Sequence, residues 1–397
     1  MMLPTVPVSL LSGASLLLTI TTASSLVAQT LEARVDHALR FARSQLLQTV
    51  RELEVTHLYP RSTLPDGNWR LVGPEDWTSG FFPGLLWYLY EQSADTALER
   101  AARRWTEGLE EQKFNSTTHD LGFMLFCSFG NGYRITQDER YRRVLLASAK
   151  TLGSRFNRHV GCIKSWDWSS EWECPVIIDN MMNLELLFWA ARNGGGDSLR
   201  LIAVSHAAKT VENHIRSDGS TVHVVNFDST SGRVIAKLTH QGASASSTWA
   251  RGQAWALYGF TVCYRETGEE RFLEAAERVA DYFVGHLPED GVPYWDFTTE
   301  EIPHTEKDAS AAAIAASGLL ELASLAGERR DAYRTAAERI LYSLAAPPYL
   351  AEKTPSRGIL NHGVADRTRQ IEVDVSLIYA DYYALEAMLR WRQLAAE

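Results

Sequence analysis

Residues 80–91, GFFPGLLWYLYE, lead almost directly into residues 95–112, DTALERAARRWTEGLEEQ, and the contrast between the two decides the fold. The first segment is small, apolar and aromatic around most of a helical circumference, and a helix of that kind has to be buried. The second is amphipathic and heavily charged, as a surface helix is. The contrast returns along the chain. DNMMNLELLFWAA (179–191) and ASAAAIAASGLLELA (309–323) are of the inner kind, DERYRRVLLASAKTLGSRF (138–156) and ERRDAYRTAAERILYSL (328–344) of the outer kind. Apolar positions recur at helical spacing nearly everywhere and strand alternation is scarce, so the chain is mostly α. Helices are expected over 31–53, 80–95, 97–113, 119–131, 138–156, 179–194, 197–216, 248–267, 269–286, 307–326, 328–345 and 376–393. Inner and outer helices that alternate in consecutive pairs describe a closed double ring of hairpins, an all-α (α/α)6 barrel. A two-layer solenoid shares the alternation but carries a sequence repeat, and none is visible. No linker rich in Pro, Gly or Ser interrupts the run, which makes residues 29–397 one domain.

With 397 residues and 45% hydrophobic content the chain can bury a large core. Its formal net charge of -10 argues against nucleic acid or an anionic membrane surface as partner, since both call for basic stripes. A small molecule or a glycan fits better, and aromatic side chains, 10% of the chain, stack well on sugar rings. Residues 7–30, PVSLLSGASLLLTITTASSLVAQT, are apolar and Ser/Thr-rich and end in small residues before the charged segment LEARVDHALRFARSQL. This reads as a signal peptide over residues 1–28 and hence an exported protein, periplasmic or extracellular, although no Lys or Arg precedes the apolar run. No later segment is long and apolar enough to span a bilayer, so no stable membrane association is expected once the leader is removed. Cys127, Cys162, Cys174 and Cys263 lack metal-ligand spacing. Cys162 and Cys174 can bridge in an oxidising compartment, but buried free thiols are the simpler reading.

Polar residues collect where the inner helices start: EDWTSGFF (Asp76, Trp77, Ser79), THDLGF (His119, Asp120), VIIDNMMN (Asp179, Asn180), THQGASASSTWARGQAW (His240, Gln241, Trp249, Arg251, Trp255) and EKDASA (Asp308, Ser310). In a ring whose alternate helices run the same way, all these starts lie on one rim. Any single Asp there is a good N-cap and favours the helix dipole. Several carboxylates with two His, an Arg and Trp rings on the same rim describe a pocket instead. Asp179 is the best candidate for an acid or base, because Val176, Ile177 and Ile178 can dehydrate it and raise its pKa. A neighbouring Asp120 would add like-charge repulsion, and two carboxylates with separated pKa values suit glycoside chemistry. Asp120 is expected to cap its helix as well as face the pocket. Arg251 is expected either to clamp a substrate carboxylate or to pair with a rim Asp. His223, in STVHVVNFD, sits in a short strand-like insertion, where a lone His is usually structural. Trp166 and Trp168, in the loop IKSWDWSSEW, can stack on a sugar or simply pack the loop. Nothing matches a zinc or calcium motif, a phosphate loop or a nucleophile elbow.

These residues resemble those of the unsaturated glucuronyl hydrolases of glycoside hydrolase family 88. The resemblance runs over nearly all of the mature chain, from DWTSGFFPGLLWYLYE through HDLGF, VIIDNMMNLELLFWA, THQGASASSTWARGQAWALYGF and EDGVPYWDF to DYYALEAMLR, and WARGQAW with HQG just upstream is its sharpest motif. It implies an (α/α)6 barrel and an enzyme without metal or cofactor that acts on an unsaturated oligosaccharide as a monomer or homodimer. The implied reaction hydrates the C4=C5 vinyl ether of the terminal unsaturated uronate left by polysaccharide lyases, and the resulting hemiketal collapses and expels the next sugar. By motif, Asp179 is implied to protonate the double bond and activate water, and Asp120 to be its partner. Trp77, Trp166, His223, His240, Gln241, Arg251 and Trp255 are implied to line the uronate subsite. Two departures stand out. Ser79 occupies a position where some members have Asp, and GILNHGVADRTRQIE (358–372) lacks the Ser- and Lys-containing signature of sulfate-accepting relatives. Two other readings stay open at this stage, an unsaturated galacturonyl hydrolase acting on pectin fragments and a glycan-binding protein without catalysis.

Overall fold

The computed structural model of the chain describes Met1 and residues 29–396, so the expected signal peptide lies almost wholly outside the described residues. Twelve α-helices run in order through them: α1 (Leu31–Glu52), α2 (Phe81–Ser93), α3 (Thr96–Glu107), α4 (Asn131–Thr136), α5 (Glu139–Gly153), α6 (Asn180–Ala190), α7 (Asp197–His214), α8 (Ala250–Thr267), α9 (Glu270–Gly285), α10 (Ala309–Leu325), α11 (Arg330–Leu344) and α12 (Ile378–Ala396). The even-numbered helices touch in a closed cycle, from α2 through α4 and its π-helical leader to α6, α8, α10, α12 and back to α2. The odd-numbered helices lie outside, each packed on an inner neighbour, and α1 closes the outer layer against α11 and α12. This is the expected (α/α)6 barrel. Among the described residues no helix is long and apolar enough to cross a membrane.

The inner ring is built from residues that let helices approach closely. In α10 small side chains dominate and nearly every residue is buried, while its outer partner α11 buries only the stripe Tyr333, Ala336, Ala337, Ile340, Leu341 and Leu344. A Cβ placed on Gly318 of α10 would lie 2.5 Å from Leu257 of α8, and one on Gly259 of α8 would lie 2.4 Å from the Cβ of Met181 in α6. Glycine at these two contacts is what sets the interhelical spacing.

Two local features depart from the sequence expectation. The segment expected as an α-helix over 119–131 is a π-helix at Gly122–Gly130 that passes into α4 and ends only at Thr136. The side chain of Asn183 accepts the amide N–H of Phe123 at 3.1 Å, so α6 holds the start of this wider turn directly. π-segments of this kind favour functional sites because they re-aim the residues around them. The second feature is a set of short antiparallel strands: β1 (Tyr59–Thr63) with β2 (Trp69–Val72), β3 (Phe156–Asn157) with β4 (Cys162–Ile163), β5 (Cys174–Ile177) with β6 (Val224–Phe227) and β7 (Val234–Leu238), and β8 (Gly363–Asp366) with β9 (Ile371–Val375). β2, β5, β7 and β9 each lead into the start of an inner helix, so the strands crown the rim where the polar residues collect. All four cysteines are buried and unbridged.

Candidate active site

Asp179 follows β5 and occupies the N-cap position of α6, yet its side chain caps nothing. Its Oδ2 is buried and accepts no hydrogen bond. His223, one residue before β6, presents Nε2 to that oxygen at 3.7 Å, and Nε2 is also without a partner. The other ring nitrogen fixes the tautomer. Nδ1 of His223 accepts the amide N–H groups of His240 and Gln241, each at 3.2 Å, so the proton is assigned to Nε2 and faces the carboxyl. The ring lies flat on Trp249, with centroids 4.5 Å apart. Burial, followed by the charges of His240 and Arg251, holds the imidazole neutral, well below its usual range. The indole N–H of Trp255 is aimed at the same carboxyl without reaching hydrogen-bond geometry.

Asp120 approaches from the neighbouring inner helix. Its Oδ2 accepts the hydroxyl of Thr118 at 2.7 Å, and Nε2 of the buried His119 stands 3.4 Å from Oδ1. The expected side-chain cap is absent: the Asp120 carboxyl accepts the Thr118 hydroxyl and no helix-start amide, while its main-chain carbonyl accepts the amide of Met124 at 2.9 Å. Both carboxyl side chains keep 14% of their surface exposed, so each is enclosed but reachable. Burial pushes Asp120 up to about 7, with a further push from Asp76 and a counter-pull from Thr118. Burial likewise pushes Asp179 up to about 7; Arg251 pulls it down and Asp120 pushes it up. Both carboxyls can therefore hold or release a proton near neutrality, and two interacting groups of this kind titrate as a pair.

The other rim acids follow the simpler structural reading. Asp308 caps α10 by accepting the amide and hydroxyl of Ser310 at 2.9 and 2.6 Å. Asp76 accepts the amide of Thr78 at 2.9 Å and pairs with Arg61 at 2.6 Å. Ser79 donates to the carbonyl of Pro74 at 3.0 Å. Of the two expectations for Arg251, the pairing with a rim Asp is the one its contacts show. Its guanidinium is 2% exposed, pairs with Asp308 at 3.2 Å, and donates to the carbonyls of Val364 and, at 2.6 Å, Ala365. The Arg therefore anchors the β8–β9 hairpin while lying 4.3 Å over Trp249, the plate beneath His223. Gln241 is tied to the same hairpin, donating to the carbonyl of Ala365 at 2.8 Å.

Aromatic side chains form the floor and the mouth. Trp77 meets Phe123 at 5.4 Å and Tyr379 at 5.0 Å, and Phe123 meets Trp255 at 5.1 Å, a continuous run of aromatic rings linking the starts of the inner helices. At the mouth His240 packs against Trp166 and Trp168, with centroids 5.0 and 5.2 Å apart, and Trp172 joins them. Arg369, from the turn of the β8–β9 hairpin, reaches His240 with one guanidinium nitrogen. The sequence expectation omits Trp172 and Arg369. Arg369 lies 129 residues from His240, and only ring closure brings the two together.

A second cavity, of about 510 Å³, opens at the opposite end of the barrel. Its central acid, Glu386, accepts hydroxyls from Tyr88 at 2.8 Å, Tyr258 at 3.1 Å and Ser317 at 2.5 Å, so it is satisfied within the fold. Among the described residues, four of the twelve buried side-chain atoms without a partner, Asp179 Oδ2, His223 Nε2, Trp255 Nε1 and His119 Nδ1, belong to residues at the crowned rim, while others such as Arg34 Nε and His206 Nε2 lie elsewhere in the fold. Buried polar groups are rarely left unpaired without a ligand or water to meet them. Among the described residues no group of three His, Cys, Asp or Glu side chains is placed to hold a metal ion.

Residues 53–283 match the model of Glycosyl Hydrolase Family 88. The chain is 45% identical over 328 residues to an unsaturated glucuronyl hydrolase of Formosa agariphila, covering 81% of this chain and 82% of that one. A crystal structure of an unsaturated glucuronyl hydrolase specific for heparin superposes with a TM-score of 0.86 at 42% identity, covering 91% of this chain and 98% of that one. The unsaturated glucuronyl hydrolase of Bacillus sp. GL1, described as responsible for glycosaminoglycan degradation, superposes with the same TM-score of 0.86 at 32% identity, covering 92% and 97%.

Proposed function

The chain belongs to Glycosyl Hydrolase Family 88, and from that premise we propose how its own residues carry out the reaction. It is an unsaturated glucuronyl hydrolase that removes the terminal 4,5-unsaturated uronate from oligosaccharides derived from glycosaminoglycans. Protonated Asp179 gives its proton to C4 of the C4=C5 bond, and the positive charge that develops is shared between C5 and the ring oxygen. The resulting Asp179 carboxylate then takes a proton from the water that adds at C5. The C5 hemiketal opens to a ketone, the ring oxygen becomes a hydroxyl on C1, and the C1 hemiacetal releases the next sugar. One residue serves as acid and then as base, which asks for a pKa near the working pH. The value of about 7 for Asp179 meets that need.

Asp120 is the partner that stays ionised while Asp179 is protonated, and it accepts hydroxyls of the bound uronate. The Nε2–H of His223 and the indole N–H of Trp255 are free donors beside Asp179, available to the water or to the substrate carboxylate. Trp77 supports the sugar face, while Trp166 and His240 flank the sugar that leaves. Arg251 and Gln241 act by fixing the β8–β9 hairpin, and the charge of Arg251 keeps Asp179 from rising further. The apolar, Ser/Thr-rich leader over residues 1–28 supports an exported enzyme. The observation that carries the assignment is the convergence of a raised, unpartnered carboxyl with two unpartnered donors in one enclosed rim pocket.

The test follows the ultraviolet band of the conjugated uronate with an unsaturated glycosaminoglycan disaccharide. Wild type removes the band, and Asp179→Asn slows its loss by about 10²–10⁴-fold, the usual worth of a positioned acid or base. Undiminished turnover in Asp179→Asn would overturn the assignment.

A further inference from the structure

Arg155 stands two residues past the outer helix α5, and its side chain is only 6% exposed. Its guanidinium spends its donors on two loops that reach the pocket. Nε donates to the carbonyl of Lys164 at 3.0 Å and Nη2 to that of Ser165 at 3.1 Å, the residues that open the loop carrying Trp166. Nη1 donates to Asp167 of the same loop at 2.8 Å and to the carbonyl of Ser116. Ser116 begins the turn that ends in Asp120, where the Thr118 hydroxyl accepts the amide of Asp120 at 3.1 Å and donates to its carboxyl at 2.7 Å. One planar fork therefore joins the turn of a pocket acid to an aromatic wall of the mouth, a reach that the point charge of a Lys does not match.

The loop it holds is anchored a second time. The Ser165 hydroxyl donates to Asn180 at 3.1 Å and accepts the amide of Ile177 at 2.9 Å, and Asn180 donates to the carbonyl of Ile163 at 2.8 Å. Ser165 and Asn180 are buried, and Asn180 directly follows Asp179. Segments bearing both acids thus meet at the opening of the tryptophan loop. The charges point the same way. Asp167, the acid paired with Arg155, has a half-exposed side chain and is shared with Lys164 at 3.0 Å, so the buried guanidinium is incompletely offset. Asp120 is faced by Asp76, itself paired with Arg61, by Asp179 at the start of α6, by His119, which burial holds neutral, and by Arg155. Among these, Asp76 raises the pKa of Asp120 and Arg155 lowers it.

We propose that Arg155 is a positioning residue for the hydration, locking the turn that ends in Asp120 to the loop that carries Trp166, so that one side chain outside the pocket sets both. The proposal rests on the reading of the carboxyl pair as the hydrating site. Its charge has a second effect, favouring the ionised Asp120 that the reaction uses while Asp179 carries the proton.

The experiment reads two quantities in wild type, Arg155→Lys and Arg155→Gln. One is kcat on an unsaturated disaccharide. The other is the titration of Asp120, followed by ¹³C NMR of labelled aspartate in an Asp179→Asn background, where Asp120 titrates without its partner. Neither Lys nor Gln restores the fork, so kcat should fall by about ten- to a hundredfold in both. The Asp120 pKa should rise by about half a unit to one unit in Arg155→Gln and stay in place in Arg155→Lys, which keeps the charge. A role in stability alone would not separate the two variants in this way. Asp167→Asn, at a half-exposed position, covers the case in which Arg155→Gln does not fold: it removes the acid that offsets Arg155, so the Asp120 pKa should fall, by about 0.3 at low ionic strength. An unchanged kcat in Arg155→Lys would overturn the proposal, as would an Asp120 titration that ignores Arg155→Gln or, where that variant does not fold, Asp167→Asn. Wild type inert on the disaccharide would strike the carboxyl-pair reading itself, and the titration would still decide whether Arg155 acts on Asp120.

Discussion

Asp179 and Asp308 are both acids at the start of an inner helix, and their surroundings give them opposite duties. Asp308 spends its oxygens on Ser310, on the amide of Val364 at 3.2 Å and on Arg251, and becomes a structural weld between α8, α10 and β8. Asp179 has no such partners and is left for chemistry. The two are nonetheless linked through Arg251, whose charge lowers the pKa of Asp179 while Asp308 offsets that charge. In Asp308→Asn the guanidinium charge is less compensated, so the Asp179 carboxylate is favoured. The alkaline limb of the kcat profile, where Asp179 loses its proton, should then move down by about half a pH unit to one unit, each unit corresponding to about 1.4 kcal/mol. An unmoved limb, or one moved upward, would contradict this coupling. Asp179 is legible in the sequence because three apolar residues precede it and predict dehydration. The partner of Arg251 is not, because a guanidinium fits a substrate carboxylate and a buried Asp equally well until Asp308 is seen at 3.2 Å.

At the scale of elements, the inner helices owe their spacing to small residues at contacts. Gly259→Val would force side-chain atoms onto the Cβ of Met181, which sits 2.4 Å from where a Cβ would go, with the main chain of the same residue about 3.0 Å away. Backbone cannot yield as a flexible side chain does, so thermal or denaturant unfolding should register a loss of about 1–3 kcal/mol or more. An equally stable variant would mean that α6 and α8 are not held at this distance. The helices themselves are legible because inner and outer members differ in how much of the circumference is apolar. The strands are not, since segments of two to five residues, such as β3 and β9, are too short for an alternation to stand out. The π-turn after Asp120 leaves no mark either, because it is set by Asn183 reaching across from α6 rather than by local propensity.

Across the whole molecule, ring closure places residues from chain positions 77 to 379 around one pocket and buries a set of titratable groups behind it. His119 and His206 are held down to about 3, His214 to about 4 and His223 well below its usual range, in each case first by burial. Between those values and about 6.5 the unfolded chain binds protons that the folded chain refuses, so their stabilisation is present above about 6.5 and lost as pH falls. Asp120, Asp179 and Asp381, each raised to about 7, act with the opposite sign and lose their contribution as pH rises through that value. By pH 5 the loss from the four histidines is about as large as the gain from the three carboxyls, so the linkage shows when a single histidine is removed. His206, fully buried with Nδ1 accepting the amide of Ile163 at 3.0 Å, accounts for about 2 kcal/mol of that loss by pH 5. The change in Tm from pH 7.5 to 5 should therefore be more favourable in His206→Gln than in wild type, and an identical change would refute the linkage.

The central claim is that Asp179 delivers a proton to C4 and the double bond is hydrated, and turnover of an unsaturated disaccharide in D₂O, followed by NMR over the first minutes, tests it most directly. The account predicts a carbon-bound deuterium at C4 of the released uronate together with loss of the olefinic signal. Release of the sugar with the olefin intact and no deuterium on carbon would mean ordinary cleavage at C1 and would contradict it.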